Sequence, residues 1–309
     1  MGTQAFHAGE LEIQRRAGVP ERTLSVGEKV LRPLLIDQHR QFYPQLPMLF
    51  LAATDSNGVL WATALYGEPG FIGSPDERTL SVRADWHAAD PLHDQLRAGQ
   101  PYGLLGLQFA TRRRNRANGK IQAVSGDRLL LGIEQSFGNC PKYIRPREIQ
   151  GLIAERSGRS HELASLDGRA AELIERSDTF FIASRAAPNV GTRTEPQAGY
   201  DISHRGGQAG FVQVPDPHSL VFADFKGNDF FNTLGNIQTC SETALLFIDF
   251  DSGDHLYLNG HASLLWSEEG PLPIPGYARN VRFRFKRGML IERLSPYRWH
   301  DLQADRGTA

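Results

Sequence analysis

Short apolar runs broken by turn residues dominate the chain. Residues 48–54 (MLFLAAT) form a continuous apolar run that ends in Asp55-Ser56-Asn57-Gly58, and a second run, Val59–Tyr66, follows at once. Asn-Gly between two such runs predicts a β-hairpin, because both residues tolerate the positive φ that a tight turn needs. The same pattern predicts strands over Thr79–Val82, Gly103–Thr111 and Lys120–Val124. In the second half it predicts them over Thr179–Ser184, Phe211–Val214, Leu220–Ala223, Ala244–Phe250 and His255–Leu258. Within Tyr277–Leu290, Val281, Phe283 and Phe285 alternate with Arg282, Arg284 and Lys286, a period of two with one basic face. Helical periodicity is rarer. Leu166, Ala170, Leu173 and Ile174 fall on one face of a helix within 163–177, opening near Asp167-Gly168. Residues 4–17 predict another helix, with Glu10, Glu12, Arg15 and Arg16 outside.

The two halves resemble each other. Pro69-Gly70-Phe71-Ile72 returns as Ala209-Gly210-Phe211-Val212, Pro75-Asp76 as Pro215-Asp216, and Leu80-Ser81-Val82 as Leu220-Val221-Phe222. Leu105–Phe109 returns as Leu246–Phe250 and Asn118-Gly119 as Asn259-Gly260. Blocks repeated in one order at a nearly constant offset predict an internal duplication. The resulting division is an N-terminal copy with its helix at 1–147, a helical linker at 148–177 and a C-terminal copy at 178–309. Two such copies predict a pseudo-two-fold molecule with a cleft where they meet.

Charge and cysteine content narrow the function classes. Among 309 residues, 34 basic side chains face 35 acidic ones, for a net charge of −1. That balance argues against a nucleic-acid partner. Only Cys140 and Cys240 occur, too few for a disulfide-stapled scaffold or a cysteine-built metal or iron–sulfur site, and they fit a reducing cytoplasm. The apolar runs fall far short of the roughly 18 residues needed to span a bilayer, and the N-terminus has no apolar signal core. A cytoplasmic protein without a membrane partner is expected. No HExxH or GxSxG pattern is present, so neither a bound metal nor a serine hydrolase is expected.

Four stretches carry candidate chemistry. Arg112, Arg113, Arg114 and Arg116 crowd the run before Asn118-Gly119. Guanidinium forks suit phosphate, and in an extended chain Arg112, Arg114 and Arg116 share one face; a solvated hairpin tip is the competing reading. Gly199–Gly207 (GYDISHRGG) sets Ser203, His204 and Arg205 before two glycines that allow a ligand close to the backbone, which reads as an anion pocket or as a polar turn. Asp224–Asn236 interleaves Lys226, Asn228, Asn232 and Thr233 with phenylalanines, a composition able to hydrogen-bond phosphate and polyol while covering an aromatic ring. Its counterpart, Asp85–Leu92, lacks the lysine and the amides, which predicts that the first copy does not hold the same ligand by that loop. Gly138–Arg147 places Cys140 in a Cys-Pro-Lys turn beside arginines, either an activated thiol or a buried structural one.

Together with FHAGE (6–10), WATALYGEPGF (61–71), DTFFIAS (178–184) and FADFKGNDFFNTLGNI (222–237), these stretches give a chain that resembles the pyridoxamine 5'-phosphate oxidase-like, FMN-binding split-barrel proteins, in particular their two-copy flavin-nucleotide-binding branch. The resemblance implies a mainly β fold, two tandem split β-barrels with flanking helices, six strands per barrel, and FMN where the barrels meet. It implies Ser203, His204 and Arg205 near the isoalloxazine or phosphate, and Lys226, Asn228, Asn232 and Thr233 on phosphate and ribityl. Arg112, Arg114 and Arg116 would reach the flavin from the other barrel. Phe231-Asn232-Thr233 stands where the oxidase proper carries Ser-Arg-Lys, a departure that argues against pyridoxamine phosphate oxidation. The function implied is an FMN-dependent oxidoreductase acting on an unidentified small-molecule substrate or reductant. An arginine would steady the reduced flavin, and His204 is the leading proton donor. A non-catalytic flavin-binding or redox-sensing protein, and a haem- or deazaflavin-binding relative, stay open, as does a homodimer.

Overall fold

The computed structural model describes residues 5–153, 155–187 and 199–303. Three short helices come first: α1 (Ala8–Arg16), α2 (Glu21–Val30) and α3 (Asp37–Phe42). The first barrel follows as β1 (Met48–Thr54), β2 (Leu60–Tyr66), β3 (Ile72–Asp76), β4 (Thr79–Arg83), β5 (Pro101–Gln108), β6 (Arg113–Ser125) and β7 (Arg128–Gly138). A connecting stretch holds β8 (Arg147–Leu152), β9 (Ser160–Leu163) and α4 (Gly168–Arg176). The second barrel is β10 (Thr179–Arg185), β11 (Tyr200–Gly206), β12 (Val212–Asp216), β13 (Ser219–Ala223), α5 (Asn232–Thr239), β14 (Glu242–Ile248), β15 (His255–Trp266) and β16 (Arg279–Ile291), and β17 (Tyr297–Asp301) closes the chain.

The molecule is mainly β: two tandem split β-barrels with flanking helices. The sheet orders are β2-β1-β5-β6-β7-β4-β3 and β11-β10-β14-β15-β16-β13-β12, the same path in both halves. This path has seven strands in each half rather than six, and in the second sheet β9 adds an eighth by pairing with β16. Irregularities coincide as well. The ladder slips between Asn118 and Gly119 in β6 and between Asn259 and Gly260 in β15. At both glycines a Cβ would come within 2.0 Å of a carbonyl oxygen on the neighbouring strand, so only glycine lets the strands close there.

Two sequence expectations change. The strand expected at Lys120–Val124 starts at Arg113, so Arg113, Arg114 and Arg116 are strand while Arg112 stays in the hairpin turn, and Asn118-Gly119 is a bulge. The 148–177 stretch, expected to be helical, holds two strands before its helix: β8 pairs β17 and β9 pairs β16.

β1, β2 and β10 are buried along their whole length, apart from the half-buried last residue of β10, which is why they read as unbroken apolar runs. They form the seam. β2 lies against β14 and β11 against β5, equivalent strands exchanged. Phe50 pairs across its ladder with Ala64 as Phe181 pairs with His204, so the two phenylalanines are equivalents. Their rings stack at 3.6 Å between centroids, marking the pseudo-two-fold axis. The apolar cluster of the first barrel runs across this seam to include Phe181, Ile202, Leu246 and Tyr257. α1 does not stay with the first barrel but docks on α5 of the second, where a Cβ on Gly9 would come 2.3 Å from the Gly235 carbonyl oxygen.

Candidate functional site

A cleft of about 550 Å³ opens on one side of the seam, between β6 of the first barrel and β11 and α5 of the second. A smaller lobe of about 460 Å³ runs from it past Lys142 and Tyr143 to an aromatic wall of Phe211, Phe222 and Phe225. β6 sends in Arg114 and Arg116, β11 Ser203, His204 and Arg205, and the start of α5 Asn232 and Thr233. The loop before α5 is tightly wound, with both Asp229 and Phe231 at positive φ (62° and 58°). α5 starts without a side-chain cap, leaving its first backbone N–H groups at the cleft.

The floor is a hydrogen-bonded network. Arg116 donates to Asp201 (2.6 Å) and to Ser203 (2.5 Å), and Ser203 meets Thr233 at 2.7 Å. Asn232 donates to Glu10 of α1, which also accepts from the His7 backbone N–H at 2.8 Å. On its far side this wall borders a polar cavity of about 790 Å³ under α1.

The groups above the floor are not satisfied. Arg114 Nε, Arg205 Nε, His204 Nε2 and Asn139 Oδ1 are enclosed without a hydrogen-bond partner. Among the described residues no carboxylate lies within ion-pair distance of Arg114, while Arg205 has only Asp224 at 3.7 Å, which also serves Arg279 at 2.9 Å. Burial, reinforced by the Arg116 and Arg205 guanidiniums, pushes Arg114 down to about 9. Arg205 is lowered by burial as well, against the pull of Asp224. His204, 5% exposed, is held far below its ordinary value by burial and then by Arg114, Arg147 and Arg205, so it is a neutral imidazole at neutral pH and not an imidazolium acid. Crowded cations depress one another until an anion joins them.

Of the residues singled out in the sequence, Arg114, Arg116, Ser203, His204, Arg205, Asn228, Asn232 and Thr233 line this one cleft. Arg112 sits in an exposed turn at φ 57°, outside the lining, and Arg113 points the other way, over the Phe42 ring. Lys226 is exposed and outside the lining; only its carbonyl is engaged, by the Tyr143 hydroxyl. Sequence reasoning gave no role to Asn139 in this cleft or to Asp201 in its floor, and it set Glu10 on the outer face of its helix. Glu10 is 5% exposed. It is the third helical residue of a capping box with His7, a signal present in the order His7-x-x-Glu10. Burial outweighs its hydrogen bonds and pushes it up to about 8. Cys140 lines the cleft as a free, half-buried thiol. No metal-holding cluster and no helix long and apolar enough to cross a membrane occurs among the described residues.

No family model and no curated protein matches the chain. Among solved structures, similarity extends to HupZ of Group A Streptococcus, with 12% identity over 41% of this chain and 93% of that one, at a TM-score of 0.27. A candidate pyridoxamine 5'-phosphate oxidase of Lactobacillus delbrueckii gives 16% identity over 41% and 97%, at 0.28. HutZ, a haem storage protein of Vibrio cholerae, gives 12% identity over 40% and 91%, at 0.26.

Proposed function

We propose that the protein binds one FMN per chain in the cleft at the seam and is an FMN-dependent oxidoreductase. The observation that carries this reading is the set of unsatisfied donors: Arg114, Arg205 and neutral His204, beside the Ser203 and Thr233 hydroxyls and an uncapped helix start. Three guanidiniums stand against two carboxylates, one of them shared with Arg279. A phosphate monoester supplies the missing negative charge and enough acceptor oxygens to meet these donors. The adjoining lobe, walled by Phe211, Phe222 and Phe225, suits a flat aromatic ring. The donor set and the two-lobed shape therefore fit FMN. Bound there, the flavin would supply hydride and electron transfer. The protein's own contribution is placement: guanidiniums and hydroxyls would fix the phosphate, and Phe211, Phe222 and Phe225 would cover the ring. The matching strand orders and bulges support descent of both barrels from one duplicated unit. The two unpaired thiols support a cytoplasmic setting.

The test is titration with FMN and with riboflavin, which has the ring but no phosphate. FMN is expected to bind at least tenfold more tightly. Arg205→Ala should weaken FMN by about 10- to 150-fold, the equivalent of about 1.5–3 kcal/mol for a contact to a charged group, and leave riboflavin nearly unchanged. Equal affinity for the two flavins would remove the phosphate from the cleft. Oxidation of NADH or NADPH by the flavin-loaded protein separates an enzyme from a flavin carrier.

A further inference from the structure

A further cavity, of about 820 Å³, lies where the ends of β10 and β14 meet the β8–β17 ribbon. Besides Arg145 Nε, which has no hydrogen-bond partner but stands at ion-pair distance from Asp301, three side chains that line it hold buried polar atoms with no partner: Arg147 Nη1, Thr179 Oγ1 and Trp299 Nε1. These three residues are 7%, 1% and 7% exposed. At the equivalent place in the first barrel, Leu46, Pro47 and Met48 stand where Ser177, Asp178 and Thr179 stand here, so the polar residues on this stretch are particular to the second barrel.

Charge decides what chemistry fits. Arg147 spends its other terminal nitrogen on both oxygens of Asp178, at 2.5 and 2.7 Å. Arg145 pairs with Asp301 at 2.5 Å, and Arg176 with Asp249. Three arginines thus face four aspartates, Asp251 being the fourth, and unlike the seam cleft this cavity has no surplus positive charge to attract an anion. What remains is three donors for a carbonyl oxygen, carboxylates able to accept an N–H, and an apolar wall of Ile248, Phe250 and the Trp299 ring. Buried donors without acceptors are costly, which makes a matching acceptor well placed.

We propose that this cavity is a binding site for a small uncharged aromatic amide, its carbonyl oxygen received by Arg147, Thr179 and Trp299 and its amide N–H by an aspartate of the rim. This assignment is independent of the flavin reading. The experiment uses benzamide and benzoate as probes, titrated by calorimetry and ligand-observed NMR into the full chain. Benzamide is expected to bind and benzoate to bind at least fivefold more weakly, since it lacks the N–H and brings a charge toward aspartates. Trp299→Phe keeps the ring and removes only the donor; Thr179→Val keeps the volume and removes the hydroxyl. Each is expected to weaken benzamide by about 2- to 13-fold, the range of one neutral hydrogen bond. Thermal midpoints of both variants check folding, and either variant alone suffices. No benzamide binding, equal binding of the two probes, or unchanged affinity in a folded variant would overturn the proposal and leave the cavity as a water-filled one.

Discussion

The pseudo-two-fold axis generates two places where a β6-type strand of one barrel crosses a β2-type strand of the other, and only one of them is a cleft. On the open side stand Arg114, Arg116, Ser203 and Gly206. Their equivalents on the other side are His255, Tyr257, Thr63 and Tyr66, a correspondence fixed by the cross-strand partners of β5 and β14 and of β1 and β10. There the Tyr66 hydroxyl meets His255 at 2.7 Å, and Tyr257 donates to Asp90 at 3.0 Å, which also accepts from Thr63. Every polar atom named has a partner, and aromatic rings fill the space. Asp90 is raised by burial, with hydrogen bonds opposing, and His255 is pushed down to about 3 by burial. The loop Asp85–Leu92 forms no helix, so no uncapped helix start faces this side. Gly206 is the sharpest single difference. A Cβ there would come 2.1 Å from the Tyr143 carbonyl oxygen, so the glycine admits the loop that walls the cleft, whereas Tyr66 occupies the counterpart position with its own ring. One architecture used twice gives a satisfied core on one side and an unsatisfied site on the other, and side-chain size, charge and the presence of α5 make the difference.

The seam itself is the strongest element shared by both sides, so breaking it gives the largest expected effect. Phe50 and Phe181 are fully buried and stacked on the axis. Phe181→Ala should cost about 3–5 kcal/mol of stability, the range for deleting a buried aromatic ring, read as a fall in the denaturant midpoint. A cost below about 1 kcal/mol would show that the barrels do not depend on each other at this contact. Next in size is the site difference. Arg114→Ala should weaken FMN by about 10- to 150-fold, while Tyr257→Phe, at the matching seam on the closed side, leaves FMN affinity unchanged. Tyr257→Phe should instead cost about 1–3 kcal/mol of stability, because Asp90 and Thr63 lose a buried partner. Flavin titration and denaturation of both variants check this; a Tyr257→Phe effect on FMN equal to that of Arg114→Ala would abolish the distinction between the sides.

Much of this asymmetry is legible in the residues. The strand pattern and the repeat follow from continuous apolar runs and from turn glycines, which act locally, and the arginine run with GYDISHRGG marks the two strands that form the cleft. Other features depend on contacts that periodicity does not encode. α5 begins at Asn232 with no capping side chain and weak helix formers, so nothing local announces it. Lys226 has the side-chain type of a phosphate ligand, yet its loop turns it outward. Asn118-Gly119 has the composition of a hairpin turn, and becomes a bulge because the facing strand continues past it. Glu10 has the character of a solvent-facing charge, and only the close approach of Gly9 to Gly235 buries it.

Glu10 gives the smallest expected effect and the one whose sign is most specific. Its carboxyl has an ordinary value of 4.5 and rises to about 8 in the folded chain, mainly through burial, against hydrogen bonds from His7 and Asn232 and the charge of Arg116, with Asp201 adding to the rise. Between those two values the folded state holds a proton that the unfolded state has released. Stability from this group is therefore fully present below about 4.5 and is lost as pH rises toward 8, by at most about 1.4 kcal/mol per pH unit. Neighbouring His7 runs the other way: burial lowers it, so its contribution grows as pH rises through 6.5. The two partly cancel in the wild-type chain, and Glu10→Gln separates them, because glutamine keeps an uncharged acceptor beside Asn232 and has no proton to lose. The difference in unfolding free energy between Glu10→Gln and wild type, measured by denaturation at pH 5.5, 6.5 and 7.5, should shift in favour of the variant at each step. A difference that stays flat across that range would show that Glu10 is ionised in the folded protein, and that the wall between the cleft and the cavity beneath α1 carries a charge that Arg116 has to balance.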